Sequence, residues 1–302
     1  APAIADLDAD GDAEVIINWG HVIEALHHDG SLLWRHATGQ DDLYRPSGVT
    51  IADVTGDGRP NIVTASARRI GLSISHHQMM VLDAAGDLVW QQEVGDTTSS
   101  ASGVVAQDLT GNGVWEILWN GSADGLLIFN GPDGRRLYNE PFTHSPTVMD
   151  YPTLADVDGD GDLDLFIGGR VKPNEYPLPV SSYILKNDGK GHFAIANDEV
   201  APALNEIGLV CDALWTDFDN DGWQDLLLAG EWMPLQFLKN DGGKLKSPTP
   251  ISHSSGLWNS IAAADFDLDG DIDYIVGNLG ENTLLKANEK QLRHSKLPRW
   301  DM

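Results

Sequence analysis

The chain has 302 residues, which is long enough for one large domain or two smaller ones with a substantial core. It carries 46 acidic and 19 basic side chains, a formal net charge of −27, so nucleic acid and anionic membrane surfaces are poor partners. No apolar run is long enough to span a bilayer, and the single cysteine, Cys211, excludes an internal disulfide. We therefore expect no nucleic-acid binding and no membrane insertion, and we expect a monomer.

The predicted elements follow one order that is repeated along the chain. An acidic stretch of nine residues recurs about every 50 residues, and a period of this length indicates a repeat architecture. The six copies, numbered here as acidic loops one to six, are "DLDADGDAE" (6–14), "DVTGDGRPN" (53–61), "DLTGNGVWE" (108–116), "DVDGDGDLD" (156–164), "DFDNDGWQD" (217–225) and "DFDLDGDID" (265–273).

Strand-like runs flank every acidic loop. Apolar runs such as "PAIA" and "GVTIA" lead in, and "EVIIN", "NIVTA", "EILWN", "DLFIGG", "DLLLAG" and "DYIVGN" follow. Five further stretches, including "VIEALHHDGSLLWRH" and "MMVLDAAGDLVWQQE", predict hairpins with Asp-Gly, Ala-Gly or Gly-Gly turns. Each repeat therefore predicts four strands, A to D, with the acidic loop between A and B.

Four-stranded units repeated at this length are typical of β-propeller blades around a central axis, so the predicted fold class is an all-β, single β-propeller domain over 1–302. The predicted blades span approximately 1–45, 46–98, 99–145, 146–205, 206–255 and 256–302. Only "ENTLLKANEKQLRHSKLPRWDM" remains for the last two strands. Six blades are favoured, and seven are the alternative.

The acidic loops have the composition of calcium sites. Each offers side-chain oxygens at positions 1, 3, 5 and 9 and a glycine at position 6, where a sharp bend is needed. Hard oxygen ligands without His or Cys favour Ca²⁺. An EF-hand is disfavoured because strands, rather than helices, flank the loops. A solvated acidic turn is common as a single copy, but six copies in register favour metal.

We predict up to six structural Ca²⁺ ions. The first, fourth, fifth and sixth loops offer four carboxylates each and are expected to fill first, whereas the second and third offer two and are expected to bind more weakly. The predicted ligands are Asp6, Asp8, Asp10 and Glu14; Asp53, Thr55, Asp57 and Asn61; Asp108, Thr110, Asn112 and Glu116; Asp156, Asp158, Asp160 and Asp164; Asp217, Asp219, Asp221 and Asp225; and Asp265, Asp267, Asp269 and Asp273.

The loops and their spacing resemble the FG-GAP or VCBS repeats of integrin α-type β-propellers over nearly the whole chain, and such propellers usually have seven blades. More narrowly, "YPTLADVDGDGDLDLFIGGRVKPNEYPLP", "ALWTDFDNDGWQDLLLAGEWMPLQFLKN" and "GLWNSIAAADFDLDGDIDYIVGNLG", within about 150–288, resemble bacterial relatives of the cartilage-acidic-protein (ASPIC/UnbV) group. The first three repeats lack these signatures. The family occurs in adhesins, lectins and enzyme accessory domains, so the resemblance implies a fold and a metal rather than one activity.

A ligand site is expected on the face opposite the acidic loops, which collects the B–C and D–A connections. The candidate residues on this face are Trp19, His21, Tyr44, Arg45, Trp119, His144, Tyr151, Arg170, Trp232 and Trp258. Tryptophans there suit a sugar-stacking surface, although tryptophan wedges between blades are ordinary core and are the favoured interpretation. No third ligand is near His27-His28 or His76-His77 in sequence, so a zinc role is not expected for either pair.

Three functions remain open from the sequence. The first is an extracellular or periplasmic binding or scaffold module with structural calcium, suited to the millimolar calcium outside cells and to a protein or glycan ligand. The second is a lectin or a lyase-like, polysaccharide-active enzyme that uses the His, Tyr, Trp and Arg residues of the opposite face. The third is a recombined or designed propeller without an evolved ligand. No catalytic motif supports an enzyme, and no catalytic residue is assigned.

Overall fold

The computed structural model describes residues 2–38, 45–70, 73–94, 104–121, 125–140, 152–172 and 175–280. The chain forms two compact units, one from residues 1–151 with 189–192 and the other from 152–188 with 193–302. Regular structure in the described ranges is almost entirely β-strand. None of the helices there is long and apolar enough to cross a membrane.

The first unit contains three antiparallel sheets of four strands, each in sequential order. The strands of the first sheet are β1 (Ala3–Ala5), β2 (Glu14–Asn18), β3 (Val22–Leu26) and β4 (Leu32–Ala37). Those of the second are β5 (Arg45–Ala52), β6 (Asn61–Ile70), β7 (Ser73–Leu82) and β8 (Leu88–Glu93), and those of the third are β9 (Val104–Gln107), β10 (Glu116–Gly121), β11 (Gly125–Asn130) and β12 (Arg136–Glu140). This up-and-down order is the connectivity of a propeller blade.

The second unit contains two more such sheets and an additional strand pair. The fourth sheet is β13 (Thr153–Ala155), β14 (Asp164–Ile167), β15 (Tyr183–Asn187) and β16 (Phe193–Ile195). The fifth is β17 (Leu209–Thr216), β18 (Asp225–Met233), β19 (Gln236–Leu238) and β20 (Thr249–Pro250), followed by the pair β21 (Gly256–Ala264) and β22 (Asp273–Asn278). The end of β18 also pairs with β21, through Glu231 opposite Leu257.

Two short helical segments lie between β16 and β17. They are an α-helix, α1 (Asn197–Val200), and a 3₁₀ turn, Pro202–Leu204. The buried Asn197 side chain accepts a hydrogen bond from the Ile184 backbone N–H at 2.9 Å and donates one to the Ser182 carbonyl at 2.8 Å. Asn197 therefore ties this connection to β15, which the sequence pattern did not predict.

Successive sheets within each unit share hydrophobic cores. Ile16 and Ile23 of the first sheet pack with Ile62 and Met80 of the second. In the fourth and fifth sheets strand B is buried on both faces, which is why β14 and β18 continue after their first aspartate as unbroken apolar runs, whereas β2 alternates. Strand-A, strand-B and strand-C residues of the second and third sheets join in another cluster, which includes Val63, Val81, Ile117 and Leu127.

A tryptophan on strand D ties each of the first two sheets to the next. The Trp34 indole N–H donates to the Ala84 carbonyl at 2.9 Å, and the Trp90 indole N–H donates to the Gly131 carbonyl at 2.6 Å. Gly86 and Gly134 lie directly against these indole rings, so a side chain at either glycine would collide with tryptophan. The tryptophans of the "LLW" and "LVW" segments thus connect each of these repeats to the next.

The all-β class and the four-stranded antiparallel units are confirmed. The ring itself, its blade count and the six blade boundaries stay predictions. The segment expected to supply strands C and D of the last repeat, 281–302, lies outside the described residues.

Candidate metal centres and the opposite loops

All six acidic loops connect strands A and B of an antiparallel pair, as predicted. They leave β1, β5, β9, β13, β17 and β21 and enter β2, β6, β10, β14, β18 and β22. No helix flanks any of them within the described residues. The strand setting that separates these loops from EF-hands is therefore present in every copy.

One hydrogen-bond network recurs in all six loops. The carboxylate at position 1 accepts the backbone N–H of the glycine at position 6, at 2.7–3.1 Å. The side chain at position 9 accepts the backbone N–H of position 2, at 2.8–3.2 Å. The side chain at position 5 accepts the backbone N–H of position 7, at 2.7–3.1 Å. These bonds curl the loop around its own acidic side chains.

Two residues of every loop have left-handed backbone conformations. The glycine at position 6 has φ between 82° and 97° throughout, as its predicted role in the bend requires. Position 4 is also left-handed, with φ between 58° and 78°, at Ala9, Gly56, Gly111, Gly159, Asn220 and Leu268. Sequence reasoning missed position 4, although the Gly or Asn found there in four of the six loops was a usable signal.

Position 9 holds the most buried polar side chain in each of the first five loops, whereas Asp273 of the sixth is partly buried. Glu14, Asn61, Glu116, Asp164 and Asp225 are all buried. Burial raises the pKa of Asp164 to about 6 and also raises the pKa values of Glu116 and Asp225. A buried carboxylate needs a compensating charge or hydrogen bonds, and a cation held by the loop would supply the charge.

Carboxylates converge in four loops. One oxygen from each member of a group lies within 4.8 Å of the others in Asp6–Asp8–Asp10, Asp156–Asp158–Asp164, Asp217–Asp219–Asp225 and Asp265–Asp267–Asp269. These are the loops with four predicted carboxylate ligands.

Three side-chain atoms at predicted ligand positions are buried and have no hydrogen-bond partner among the described residues: Glu14 Oε1, Thr110 Oγ1 and Asp158 Oδ1. Unsatisfied buried oxygens are rare in folded proteins. Around Thr110 and Asp158 the donors are all oxygens, which fits calcium as the occupant, whereas Glu14 Oε1 also has His27 Nδ1 at 3.5 Å.

The C–D turn of the same repeat lies beside the acidic loop. The Asn187 and Asn240 backbone N–H groups donate to Asp164 Oδ1 and Asp225 Oδ1, at 2.9 and 2.6 Å. The sequence predicted that A–B and C–D connections share one edge of a sheet, and these contacts agree with it.

Two lysines, Lys186 near the end of β15 and Lys239 directly after β19, reach the fourth and fifth loops. Lys186 Nζ contacts Asp158 and lies 3.4 Å from Asp160 Oδ2. Lys239 Nζ contacts Asp219 and lies 3.0 Å from Asp221 Oδ2. Hydrogen bonds to these aspartates raise the pKa values of both lysines. The fourth and fifth loops therefore already have a positive charge against positions 3 and 5, which the sequence analysis did not foresee.

The predicted ligand-face residues differ in their surroundings. Trp119 is wholly buried in the core that the second and third sheets share, which agrees with the favoured interpretation of the tryptophans as core and leaves it no open surface for a ligand. It is a core tryptophan because apolar side chains of both sheets surround it. Trp19 is 52% exposed, with its indole N–H donated to Glu24, and His21 is exposed. Trp258 is partly buried, with its indole N–H on the Ser254 carbonyl.

Four candidates cannot be placed. Tyr44, His144 and Tyr151 lie outside the described residues, as does the side chain of Arg45.

Glu231 and Tyr176 connect the side chains of Arg170 and Trp232 through hydrogen bonds. Tyr176 donates its hydroxyl proton to Glu231 Oε2 at 2.8 Å and accepts the Trp232 indole N–H at 2.6 Å, while Arg170 Nη2 lies 3.2 Å from Glu231 Oε1. We call these four residues the Trp232 cluster. Burial, with the hydrogen bond to Glu231, raises the pKa of Tyr176 to about 12.

Trp232 owes its position to an irregular backbone. The β18–β21 register shifts between Glu231 and Met233, and Trp232 at the shift has φ of 59°. A bulge of this kind re-aims a side chain, and left-handed backbone at a bulky residue costs free energy that the surrounding structure must offset.

Comparison with known proteins identifies one repeat. The sequence model of the FG-GAP-like repeat matches residues 217–276, which contain the fifth and sixth acidic loops. Curated proteins yield no match to the chain. The narrower resemblance to the cartilage-acidic-protein group is not confirmed.

Several solved structures are similar at low identity. A Bacillus licheniformis rhamnogalacturonan lyase is 12% identical over 90% of this chain and 64% of its own, with a TM-score of 0.48. BamB from Moraxella catarrhalis is 14% identical over 83% and 64%, with a TM-score of 0.46. A lectin from Agrocybe aegerita that recognises non-reducing terminal N-acetylglucosamine is 16% identical over 83% and 79%, with a TM-score of 0.38.

The chain thus spans less than two thirds of the lyase and of BamB, and none of the three similarities assigns it an activity. The sequence match and the sheets agree with each other: this all-β chain, built of four-stranded antiparallel sheets, contains an FG-GAP-like repeat at residues 217–276.

Proposed function

We propose that the protein is a calcium-stabilised β-propeller that acts as a binding or scaffold module outside the cell or in the periplasm. Calcium is structural in this proposal, and the loops opposite the calcium sites form the recognition surface. Millimolar calcium, which is found outside cells, suits loops of moderate affinity.

The observation that carries the proposal is the common construction of the six loops. All six use the same three hydrogen bonds and the same two left-handed residues, although their sequences differ. Buried oxygens without a hydrogen-bond partner among the described residues, such as Thr110 Oγ1 and Asp158 Oδ1, are not expected in a turn that is merely solvated. Calcium would satisfy those oxygens and neutralise the converging carboxylates.

A thermal melt followed by circular dichroism tests the calcium role. With EDTA the midpoint should fall well below that of the calcium-loaded protein, and restored calcium should recover it, because an ion that binds only the folded chain adds to its stability. Equal midpoints with and without calcium would contradict the proposal.

A matched pair of variants in the sixth loop makes the test site-specific. Asp265→Asn removes the position-1 carboxylate, and a tenfold weaker site should lose about 1.4 kcal/mol of calcium-dependent stability. Asp271→Asn in the same loop is the control, because only its backbone N–H is used, by Asp269. Equal losses in the two variants would indicate a general charge effect instead of a site.

The Trp232 cluster supports carbohydrate binding as a second candidate. It combines two aromatic rings with an arginine–carboxylate pair, and Tyr176 is 43% exposed while the Arg170 and Glu231 side chains are 26% and 21% exposed. Aromatic faces stack on sugar rings, and planar charged groups hydrogen-bond to sugar hydroxyls.

The state of Tyr176 favours binding over lyase chemistry. A tyrosine that removes a proton from a substrate works best with a lowered pKa, whereas burial and Glu231 raise the pKa of Tyr176 to about 12. Tyr176 therefore keeps its proton at neutral pH and donates it to Glu231.

A panel of immobilised polysaccharides tests the second candidate. Trp232→Ala should lower binding at least about tenfold, in line with the loss of a central aromatic contact. Ile195→Ala, which removes an exposed apolar side chain of β16 that is not a ligand-face candidate, should leave binding unchanged. If the protein binds no polysaccharide of the panel, carbohydrate binding is refuted and the calcium proposal is unaffected.

A further inference from the structure

We propose that the first acidic loop is a mixed nitrogen–oxygen site that binds a divalent transition metal such as Zn²⁺, with Asp8, Glu14 and His27 as ligands. His27 comes from the C–D turn, and the two carboxylates come from positions 3 and 9 of the loop. The inference concerns one of the six sites of the proposed function and does not depend on the other five.

The three side chains already converge. One ligand atom from each lies within 4.8 Å of the other two, and His27 Nδ1 is 3.5 Å from Glu14 Oε1. Metal–ligand bonds of about 2.1 Å in a tetrahedral arrangement separate the ligand atoms by about 3.4 Å. The spacing of the imidazole and carboxylate therefore suits a shared zinc-sized ion, and it is longer than an ordinary hydrogen bond.

Glu14 aims an unsatisfied oxygen into this site. Its side chain is fully buried, and Oε2 accepts the Leu7 backbone N–H at 2.8 Å. In the part of the chain that the structure describes, Oε1 has no hydrogen-bond partner. A buried carboxylate oxygen in this state is costly, and a cation between Glu14 and His27 would remove the cost.

Comparison with the fourth and fifth repeats shows why the first is different. There the second oxygen of the position-9 carboxylate accepts the backbone N–H of Asn187 or Asn240. His27 is in register with Lys186 and Lys239, the residues just before these asparagines, and its backbone N–H donates to the Ser31 carbonyl at 2.9 Å. The first repeat therefore places an imidazole nitrogen, which can bind a metal, where the fourth and fifth repeats place a lysine ammonium, which cannot.

The donor type then selects the metal. Calcium prefers oxygen ligands, whereas imidazole nitrogen together with carboxylate oxygen suits zinc and its neighbours. Sequence reasoning rejected zinc at His27-His28 because no third ligand was near, and the fold supplies two carboxylates from residues 8 and 14. His28 is not part of this group: its side chain is 58% exposed, and its Nδ1 is 3.4 Å from Asp12 Oδ2.

The test is a titration of the full chain with Zn²⁺ in excess calcium, followed by calorimetry. His27→Asn removes the imidazole nitrogen and keeps a polar side chain, and it should weaken the tightest zinc site by more than about tenfold. His28→Asn is the matched control and should bind zinc as the unaltered chain does. Co²⁺ in place of Zn²⁺ should show a visible absorption band that His27→Asn changes and His28→Asn does not.

The outcomes separate this proposal from the calcium proposal. Equal zinc affinity of the unaltered chain and His27→Asn, or an equal loss in His28→Asn, would overturn the first-loop site. A calcium-dependent melting shift in His27→Asn would show that the variant folds and that its remaining calcium loops are loaded. No calcium shift in any variant, with zinc binding still lost only in His27→Asn, would refute the calcium role alone.

Discussion

Lys239, directly after β19, contacts the acidic loop between strands A and B of its own repeat. Its ammonium group contacts Asp219 and Asp221, and the hydrogen bonds to these two residues raise its pKa. Calcium at the fifth loop would have to displace this ammonium or share the carboxylates with it. Lys186 is in the same relation to the fourth loop.

Replacing Lys239 by Gln should raise the calcium affinity of the fifth loop several-fold, because a competing positive charge is removed from beside its ligands. Calcium titration calorimetry would measure the change. Lys246→Gln is the control, since Lys246 pairs with Asp241 and does not contact the loop. An unchanged or lower affinity in Lys239→Gln would mean that the lysine does not compete with calcium.

The acidic loop is a structural element whose backbone conformation restricts the residue types at two of its positions. Position 4 is left-handed in every copy, and this conformation costs an L-residue about 1–2 kcal/mol unless it is Gly or Asn. Gly or Asn is found there in the second to fifth loops. The sixth loop has Leu268, with φ of 63° and 88% exposure.

Leu268→Asn should therefore stabilise the folded chain by about 0.5–1 kcal/mol, since Asn accepts the left-handed conformation and little apolar contact is lost. Urea unfolding measures the free energy change. Ile272→Asn, which replaces another exposed apolar residue of this loop, should bring no such gain. A destabilised Leu268→Asn chain would show that the leucine makes a contact that outweighs the backbone strain.

At the scale of the whole molecule, charge is the dominant property. A net charge of −27 implies electrostatic repulsion within the folded chain. Many of the acidic residues lie in the six acidic loops. Bound calcium would neutralise this charge locally, and dissolved salt would screen it over about 10 Å at 0.1 M.

In EDTA, added sodium chloride should raise the melting midpoint, because screening weakens repulsion among the uncompensated carboxylates. In calcium the same addition should have a much smaller effect. Melting curves at several salt concentrations, with and without calcium, measure both. Identical salt dependence in the two conditions would mean that the loop charges do not limit stability.

The parts of the protein that depend on near neighbours in the chain could be predicted from the sequence. The spacing of oxygens and glycine within nine residues predicted the loop bend, and the apolar runs on either side predicted the strands that flank all six loops. Hairpin turns likewise joined strands C and D within the repeats that the structure describes. These features are local, because a strand, a turn and a nine-residue loop are determined by contacts among adjacent residues.

The tertiary structure alone decided which distant groups meet. Arg170 reaches Glu231 across 61 positions, and the fold brings His27 to Glu14 and Lys239 to Asp219. It also buried Trp119, which lies within β10, while leaving Trp19, which follows the end of β2, half exposed. Such outcomes depend on how one strand or sheet packs on the next, and short-range sequence patterns do not determine that packing.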